Sequence, residues 1–357
     1  MTFITRWTIE DEYLVTGRGN DIINIDSSAI RSRIKTSSGN DLVQIGYNIE
    51  DSRVHTGSGN DIIEVGVLAI GSRFNTGSGD DIIDIGIGGT FRSGFNTASG
   101  NDQLSVHGDM QQSRIKMGSG EDLIEVNGYI INSKISTNSD DDILNVDGTI
   151  ISSNIDMGSG SDLAELNGAV IDSKFRLGDG NDEIRFNNLV EQSSVLGGEG
   201  NDSIHLTQDI RNTLIDGGSG DDLINIDGDH SDFANSLLFG GSGNDTMCGG
   251  SSDDLMYGGY GNDILAGGGG TNELTGNAGN DIFILIHDDW GSFTTIKDFE
   301  ASIDQAIAYE AVEYGETDAI STSYVGDNTH FFNSDGYHFA TVLNNHLIES
   351  DPGVWIA

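Results

Sequence analysis

A turn, an aspartate and a short apolar strand return every 20 residues. The stretch "TGSGNDIIEVGVLAIGSRFN" fills residues 56–75, and "TGSGDDIIDIGIGG" begins the motif again. A fixed period of this size constrains the chain more than its composition does. Each unit is too small to bury its own apolar face and must stack on the next. Eleven units run from residue 16 to residue 239, with one insertion in "TGSGDDIIDIGIGGTFRSGFN" and a longer last unit. Each opens on a Gly-rich turn closed by an aspartate: Asp21, Asp41, Asp61, Asp81, Asp102, Asp122, Asp142, Asp162, Asp182, Asp202 and Asp222.

The residues after each aspartate alternate with period two. In "DIIEV", Ile63 and Val65 are expected to point inward, with Ile62 and Glu64 outward. The second half of each unit carries another strand, as in "SRIK", "SRVH" and "SKFR", with an inward column from Ile34, Val54, Phe74 and Phe95 to Phe175. A serine column lies two residues earlier, from Ser32 and Ser52 to Ser173; stacked at a bend, it reads as a hydrogen-bonded ladder and not as a set of nucleophiles. At Gly240 the period changes to nine, and five nonapeptides in register run to Ile284. Residues 285–357 are richer in aromatics, and "HFFNSDGYHFATVL" reads as a hairpin around Asp335-Gly336.

Composition narrows the partners. With 16 basic against 58 acidic residues the net charge is −42, which argues against nucleic acid and anionic membranes. The single cysteine, Cys248, leaves no disulfide framework or cysteine-rich zinc site. No segment reaches the roughly 18 apolar residues of a membrane helix, so no membrane insertion is expected. The opening "MTFITRWTIEDEYL" has no signal-peptide pattern, so conventional N-terminal export is not expected.

The pattern G-G-x-G-x-D places glycine where the backbone turns back with positive φ. Such a turn exposes carbonyl oxygens on one side, and its closing aspartate adds a carboxylate. Parallel coils repeat about every 4.8 Å, so identical turns stack into a ladder of oxygens that repels itself unless cations lie between the turns. An all-oxygen, flexible donor set suits Ca2+ better than magnesium, zinc or copper.

The nonapeptides, "GGSGNDTMC" to "GNAGNDIFI", resemble the calcium-binding repeats of RTX (repeats-in-toxin, haemolysin-type) proteins, and "GGEGND" and "GGSGDD" extend the likeness into the longer units. The resemblance implies a parallel β-roll with calcium held between same-side turns one coil apart. It implies as ligands the closing aspartates named above, continued by Asp245, Asp254, Asp263 and Asp281. Calcium is then expected along one edge of the long array and along both edges of the nonapeptide block. "TNSDDD" lacks the glycines, "GGSSDD" has Ser252 for glycine and "GGGGTN" has Asn272 for aspartate; sites touching these turns are expected to be weaker or empty. The segment "TTIKDFEASIDQAI" resembles the one that follows the nonapeptides in many secreted members. There the C-terminal region caps the roll and carries an uncleaved type I secretion signal. Roughly a dozen divalent ions would bring the −42 to about −18, and without them repulsion is expected to keep much of the array open.

Two outward columns are left over. One is apolar (Ile22, Leu42, Ile62, Ile82, Leu123, Ile143, Leu163), a half-covered strand surface or a face for self-association. The other is basic (Arg33, Lys35, Arg53, Arg73, Arg114, Lys116, Lys134, Lys174, Arg176), a solvated face or a stripe for an anionic polysaccharide or an acidic edge of another copy. A threonine column, Thr16, Thr36, Thr56, Thr76 and Thr97, raises ice binding but breaks at Met117 and Met157. None of the eight histidines has metal-site spacing, and no nucleophile elbow or P-loop occurs.

These features define an all-β chain, a right-handed parallel β-roll/β-helix solenoid with a β-rich C-terminal cap. Residues 1–239 form the long repeat array, 240–284 the nonapeptide roll, and 285–357 the cap and type I secretion region. The expected function is that of a secreted, non-enzymatic, calcium-binding structural or adhesive protein at the cell surface or in the extracellular matrix. The alternative is a carbohydrate-active enzyme (lyase, epimerase or hydrolase) built on the solenoid, for which the repeats leave no separate catalytic domain.

Overall fold

The computed structural model describes residues 1–208, 210–228, 236–287, 292–301, 303–310, 321–325, 328–332, 337–343 and 354–356. Among them it holds strands and turns and no helix. The chain divides into two compact units, residues 1–179 and 180–357.

In the first unit each repeat makes one coil of three strands. Ile62–Val65, Leu68–Ile70 and Arg73–Ser78 are one such coil. Its residues pair in parallel with the coils on either side: Ile63 with Val43 and Ile83, Ala69 with Ile49 and Thr90, Phe74 with Val54 and Phe95. Three parallel sheets result, each built from one strand per coil. The stack begins one coil before the repeat pattern does. Phe3–Arg6, Ile9–Glu10 and Tyr13–Val15 make the coil beneath Ile22–Ile25, although residues 1–15 lack the Gly-rich turn that marks the others.

The period-two pattern decides the core. Ile63, Val65, Ala69 and Phe74 are buried with their counterparts in neighbouring coils, and the Phe74 and Phe95 rings stack at 4.8 Å. The serine column closes the corner before the third strand. The Ser52 amide donates to Ser72 Oγ at 3.1 Å, while the Ser52 hydroxyl donates to the Glu50 carbonyl at 2.7 Å. The hydroxyls thus satisfy backbone that the bend leaves unpaired. The threonine column also faces inward. Thr36, Thr56, Thr76 and Thr97 are buried, and the Thr36 hydroxyl donates to the Thr56 carbonyl at 2.8 Å. That column therefore presents nothing to ice.

The second unit begins with the same three-strand coils and then narrows. Past Ile210–Arg211 no further short middle strand occurs among the described residues, and in the nonapeptide block two repeats make one coil of two strands. Leu238 pairs with Met256 and Met247 with Leu265, in parallel and 18 residues apart. Phe293–Ile296 and Gln305–Glu310 extend the two sheets in parallel. Ser321–Val325, Asn328–Phe332 and His338–Val342 then pair antiparallel. The strands expected on either side of Asp335-Gly336 are present, while the turn itself lies outside the described residues.

Ser113→Ala removes the acceptor of the Ser93 amide and of the Thr90 hydroxyl. It is expected to cost about 1–3 kcal/mol and to lower the thermal midpoint in saturating calcium. Lys116→Ala, on the exposed face nearby, should leave the midpoint unchanged.

Candidate metal centre

The aspartates close the turns that lead from the third sheet into the first. The turn needs glycine for two reasons at Gly59: its φ is 116°, and a Cβ there would collide with the Gly39 carbonyl one coil below. Each closing aspartate is buried, and from Asp41 to Asp162 its Oδ1 accepts the backbone amide of the aspartate one coil earlier. The Asp41 amide donates to Asp61 at 2.8 Å and the Asp61 amide to Asp81 at 2.7 Å. In the second unit the same ladder runs from Asp202 through Asp222, Asp245, Asp263 and Asp281, with links of 2.8 to 3.0 Å. A separate column starts in the nonapeptide block, where the Asp254 amide donates to Asn272 Oδ1 at 2.9 Å.

The second carboxylate oxygen is the anomaly. Oδ2 of Asp41, Asp61, Asp81, Asp102, Asp122, Asp142, Asp202, Asp222, Asp245 and Asp263 is buried and has no hydrogen-bond donor. Leaving a charged oxygen in that state costs several kcal/mol at the order-of-magnitude level. Asn272 shows what the position faces. Its Nδ2 donates to the carbonyls of its own turn, most closely to Gly269 at 2.8 Å. In the other turns that position holds a second carboxylate oxygen, which cannot donate to a carbonyl. Where the turn opens with glycine, as at Gly258 and Gly276, a Cβ would press on Oδ2 of Asp263 or Asp281, so the glycine makes room for the carboxylate.

Burial is the largest influence on Asp61, Asp81, Asp102, Asp122, Asp142, Asp202, Asp222, Asp245, Asp263 and Asp281 and pushes their carboxyls upward. Asp122 and Asp202 rise to about 7, with the amides of Asp102 and Asp182 pulling down and the neighbouring aspartates adding repulsion. Burial likewise brings Asp61, Asp81, Asp142, Asp222, Asp245, Asp263 and Asp281 to about 6. Among the described residues no three carboxylates, imidazoles or thiolates converge on one point. A cation on this edge would therefore meet one or two carboxylates and several turn carbonyls. Such a set fits calcium, which takes many oxygens in loose geometry, and misfits zinc and copper.

The three irregular turns behave differently. At "TNSDDD" the glycines are gone, yet Asn138 and Asp140 take φ of 87° and 76°, so the turn persists and Asp142 keeps its place in the ladder. Ser252 does not take the positive φ of its counterparts Gly243 and Gly261. At Asn272 the amide already satisfies the carbonyls. The sequence reading missed Asp304. Its Oδ1 accepts the Asp281 amide at 3.0 Å and its Oδ2 the Glu300 amide at 2.7 Å, ending the ladder with both oxygens bonded. The signal was present in "ASIDQAI", read there only as a tail motif. An exposed column one residue before the aspartates was missed too: the Asn60 amide donates to Asn40 Oδ1 at 3.1 Å, in the sense opposite to the buried ladder.

Comparison with known proteins agrees with this chemistry. Residues 232–256 and 257–284 match the RTX calcium-binding nonapeptide repeat, in four copies. The chain is similar in structure to a hyperactive, Ca2+-dependent, β-helical antifreeze protein from an Antarctic bacterium. The two share 20% identity over 80% of this chain and 84% of that one, with a TM-score of 0.57. No curated protein matches the sequence. The fold is thus a parallel β-solenoid, and its RTX repeats bind calcium.

Asn272→Asp replaces a bonded amide by a bare oxygen. It is expected to make the stability of the nonapeptide block more dependent on calcium, read by calorimetric scans at limiting and at saturating calcium. Asp61→Asn should do the reverse in its own coil. For a carboxyl raised from 3.8 to about 6 or 7, the folded state binds the proton more tightly, so its stabilising effect is complete below 3.8 and fades through 6 to 7. In chelator the chain should accordingly show more β signal by circular dichroism at pH 4.5 than at pH 8.

Proposed function

We propose that this calcium-binding solenoid is a secreted structural or adhesive protein that folds on meeting calcium outside the cell and works at the cell surface or in the extracellular matrix. The observation that carries the reading is the column of buried Oδ2 atoms without a hydrogen-bond donor. Calcium would be held in the first unit by Asp21, Asp41, Asp61, Asp81, Asp102, Asp122, Asp142 and Asp162, and in the second by Asp182, Asp202, Asp222, Asp245, Asp263 and Asp281 on one edge and by Asp254 on the other, each with carbonyls of its turn. The ion supplies the positive charge that the stacked oxygens lack. At low calcium the −42 chain stays open, which suits export as an unfolded chain by a type I route with its signal in residues 285–357. No helix among the described residues is long and apolar enough to cross a membrane.

The protein is read as non-enzymatic because the repeats occupy almost the whole chain. Its partners are then calcium and either an anionic polysaccharide or another copy. A carbohydrate-active enzyme remains the competing class, and turnover of a polysaccharide would establish it. Binding of ice is a second reading, favoured by the likeness to a β-helical antifreeze protein and by the exposed columns on the turn edge, such as Ser58 and Asn60. Those columns are broken by Asp80, Glu121, Asp141, Asp179 and Glu199, whose hydration opposes an ice-like surface. Thermal hysteresis in calcium would promote it above adhesion.

Far-UV circular dichroism during a calcium titration tests the main reading. A cooperative gain of β signal with calcium and not with magnesium is expected. A chain already folded in chelator would refute the export switch.

A further inference from the structure

The outer face of the third sheet in the first unit carries charge opposite in sign to the rest of the chain. Two side-chain columns point outward there. One holds Arg33, Arg53, Arg73, Arg114, Lys134 and Lys174; the other holds Lys35, Lys116 and Arg176. Nine of the 16 basic residues thus share one face of a chain with net charge −42. Parallel register sets them opposite one another: Arg33 with Arg53, Arg53 with Arg73, Arg114 with Lys134. At a strand spacing of about 4.8 Å such like-charged pairs are unfavourable. Among the described residues none of the nine makes an ion pair, whereas Arg31 at the adjoining corner bridges Glu10 and Asp11. Asp156 is the one acid that the register brings into these columns between Arg33 and Arg176. The face is a ladder of exposed cations, the mirror image of the aspartate ladder, and what stabilises it is an anion with charges repeated along a line.

We propose that this face binds a linear anionic polysaccharide running across the coils, its carboxylates or sulfates resting on Arg33, Lys35, Arg53 and Arg73 and then on Arg114, Lys116 and Lys134. The proposal deepens the adhesive reading and rests on it, because the columns exist only when the coils are stacked. A sugar polymer fits better than the other polyanions. The stripe is two side chains wide and exposed acids such as Asp51 sit at its corner, so a duplex would overhang like charge. Single strands are held by stacking on aromatic rings, and from Arg33 to Arg176 the columns contain no Phe, Tyr or Trp. Neutral hydrogen-bonding groups separate the cation clusters instead: Asn96 lies between Asn75 and Lys116, and Ser136 between Lys116 and Asp156. Amides and hydroxyls of this kind suit sugar hydroxyls. In a second copy the acidic edge is already occupied by calcium.

The test is binding of the full chain in millimolar calcium to immobilised hyaluronan, a linear polysaccharide with one uronate in every disaccharide, with dextran and oligothymidylate as controls. Retention on hyaluronan but not dextran, falling as salt rises, is expected. Arg33→Gln/Arg53→Gln/Arg73→Gln should weaken it at least tenfold, while Arg185→Gln/Lys297→Gln, which removes charge elsewhere, should weaken it less than twofold. Circular dichroism with calcium separates the stripe from the fold beneath it. A triple variant that gains β signal at the wild-type calcium concentration but no longer binds supports the stripe. Wild type that folds with calcium yet ignores hyaluronan, prefers oligothymidylate, or loses only a self-association in the triple variant overturns the polysaccharide while leaving the calcium-gated reading intact. Wild type that fails to respond to calcium overturns that reading first.

Discussion

Everything in this molecule depends on one unfavourable contact, a buried carboxylate oxygen facing the carbonyls of its own turn. One such contact would be a defect. Repeated coil after coil, it lines the turn edge with buried oxygens that no hydrogen-bond donor satisfies and that a cation would stabilise. Asn272 is the internal control, since exchanging one oxygen for an amide group yields a direct hydrogen bond to Gly269. The same turn backbone therefore serves two purposes, and the side-chain chemistry at one position decides whether it needs an ion.

The rest of the coil is built to tolerate that condition. Apolar columns such as Ile63, Val65 and Phe74 supply the non-directional part of the stability. The serine ladder satisfies the backbone at the corner that has no metal. The aspartate ladder satisfies one backbone amide per coil with Oδ1 and leaves Oδ2 without a donor. Like groups in adjacent coils are inevitable in a parallel solenoid, so each outward column is a line of one chemistry, whether aliphatic, acidic or basic.

Much of this was legible in the sequence because a stacked repeat turns spacing directly into neighbourhood. Residues 20 apart in the array are partners one strand spacing apart; the inward columns, the serine ladder and the aspartate edge follow from that alone. Two of the features that escaped were not periodic. The first coil, residues 3–15, lacks the turn signature and is recognised only by its pairing with Ile22–Ile25. Asp304 follows Asp281 by 23 residues, out of step with the nonapeptides, and joins the ladder only because the intervening segment forms a strand of its own. The threonine column looked like a surface because periodicity shows which residues align without showing which side of the wall they face.

Whether the buried oxygens make folding conditional on calcium is decided by measuring bound calcium and folded fraction on the same full-length sample, by equilibrium dialysis with circular dichroism across a calcium series. The two are expected to rise together and to saturate at on the order of a dozen ions per chain. A chain whose coils are fully formed while no calcium is bound would show that the buried oxygens need no cation, and would contradict that dependence.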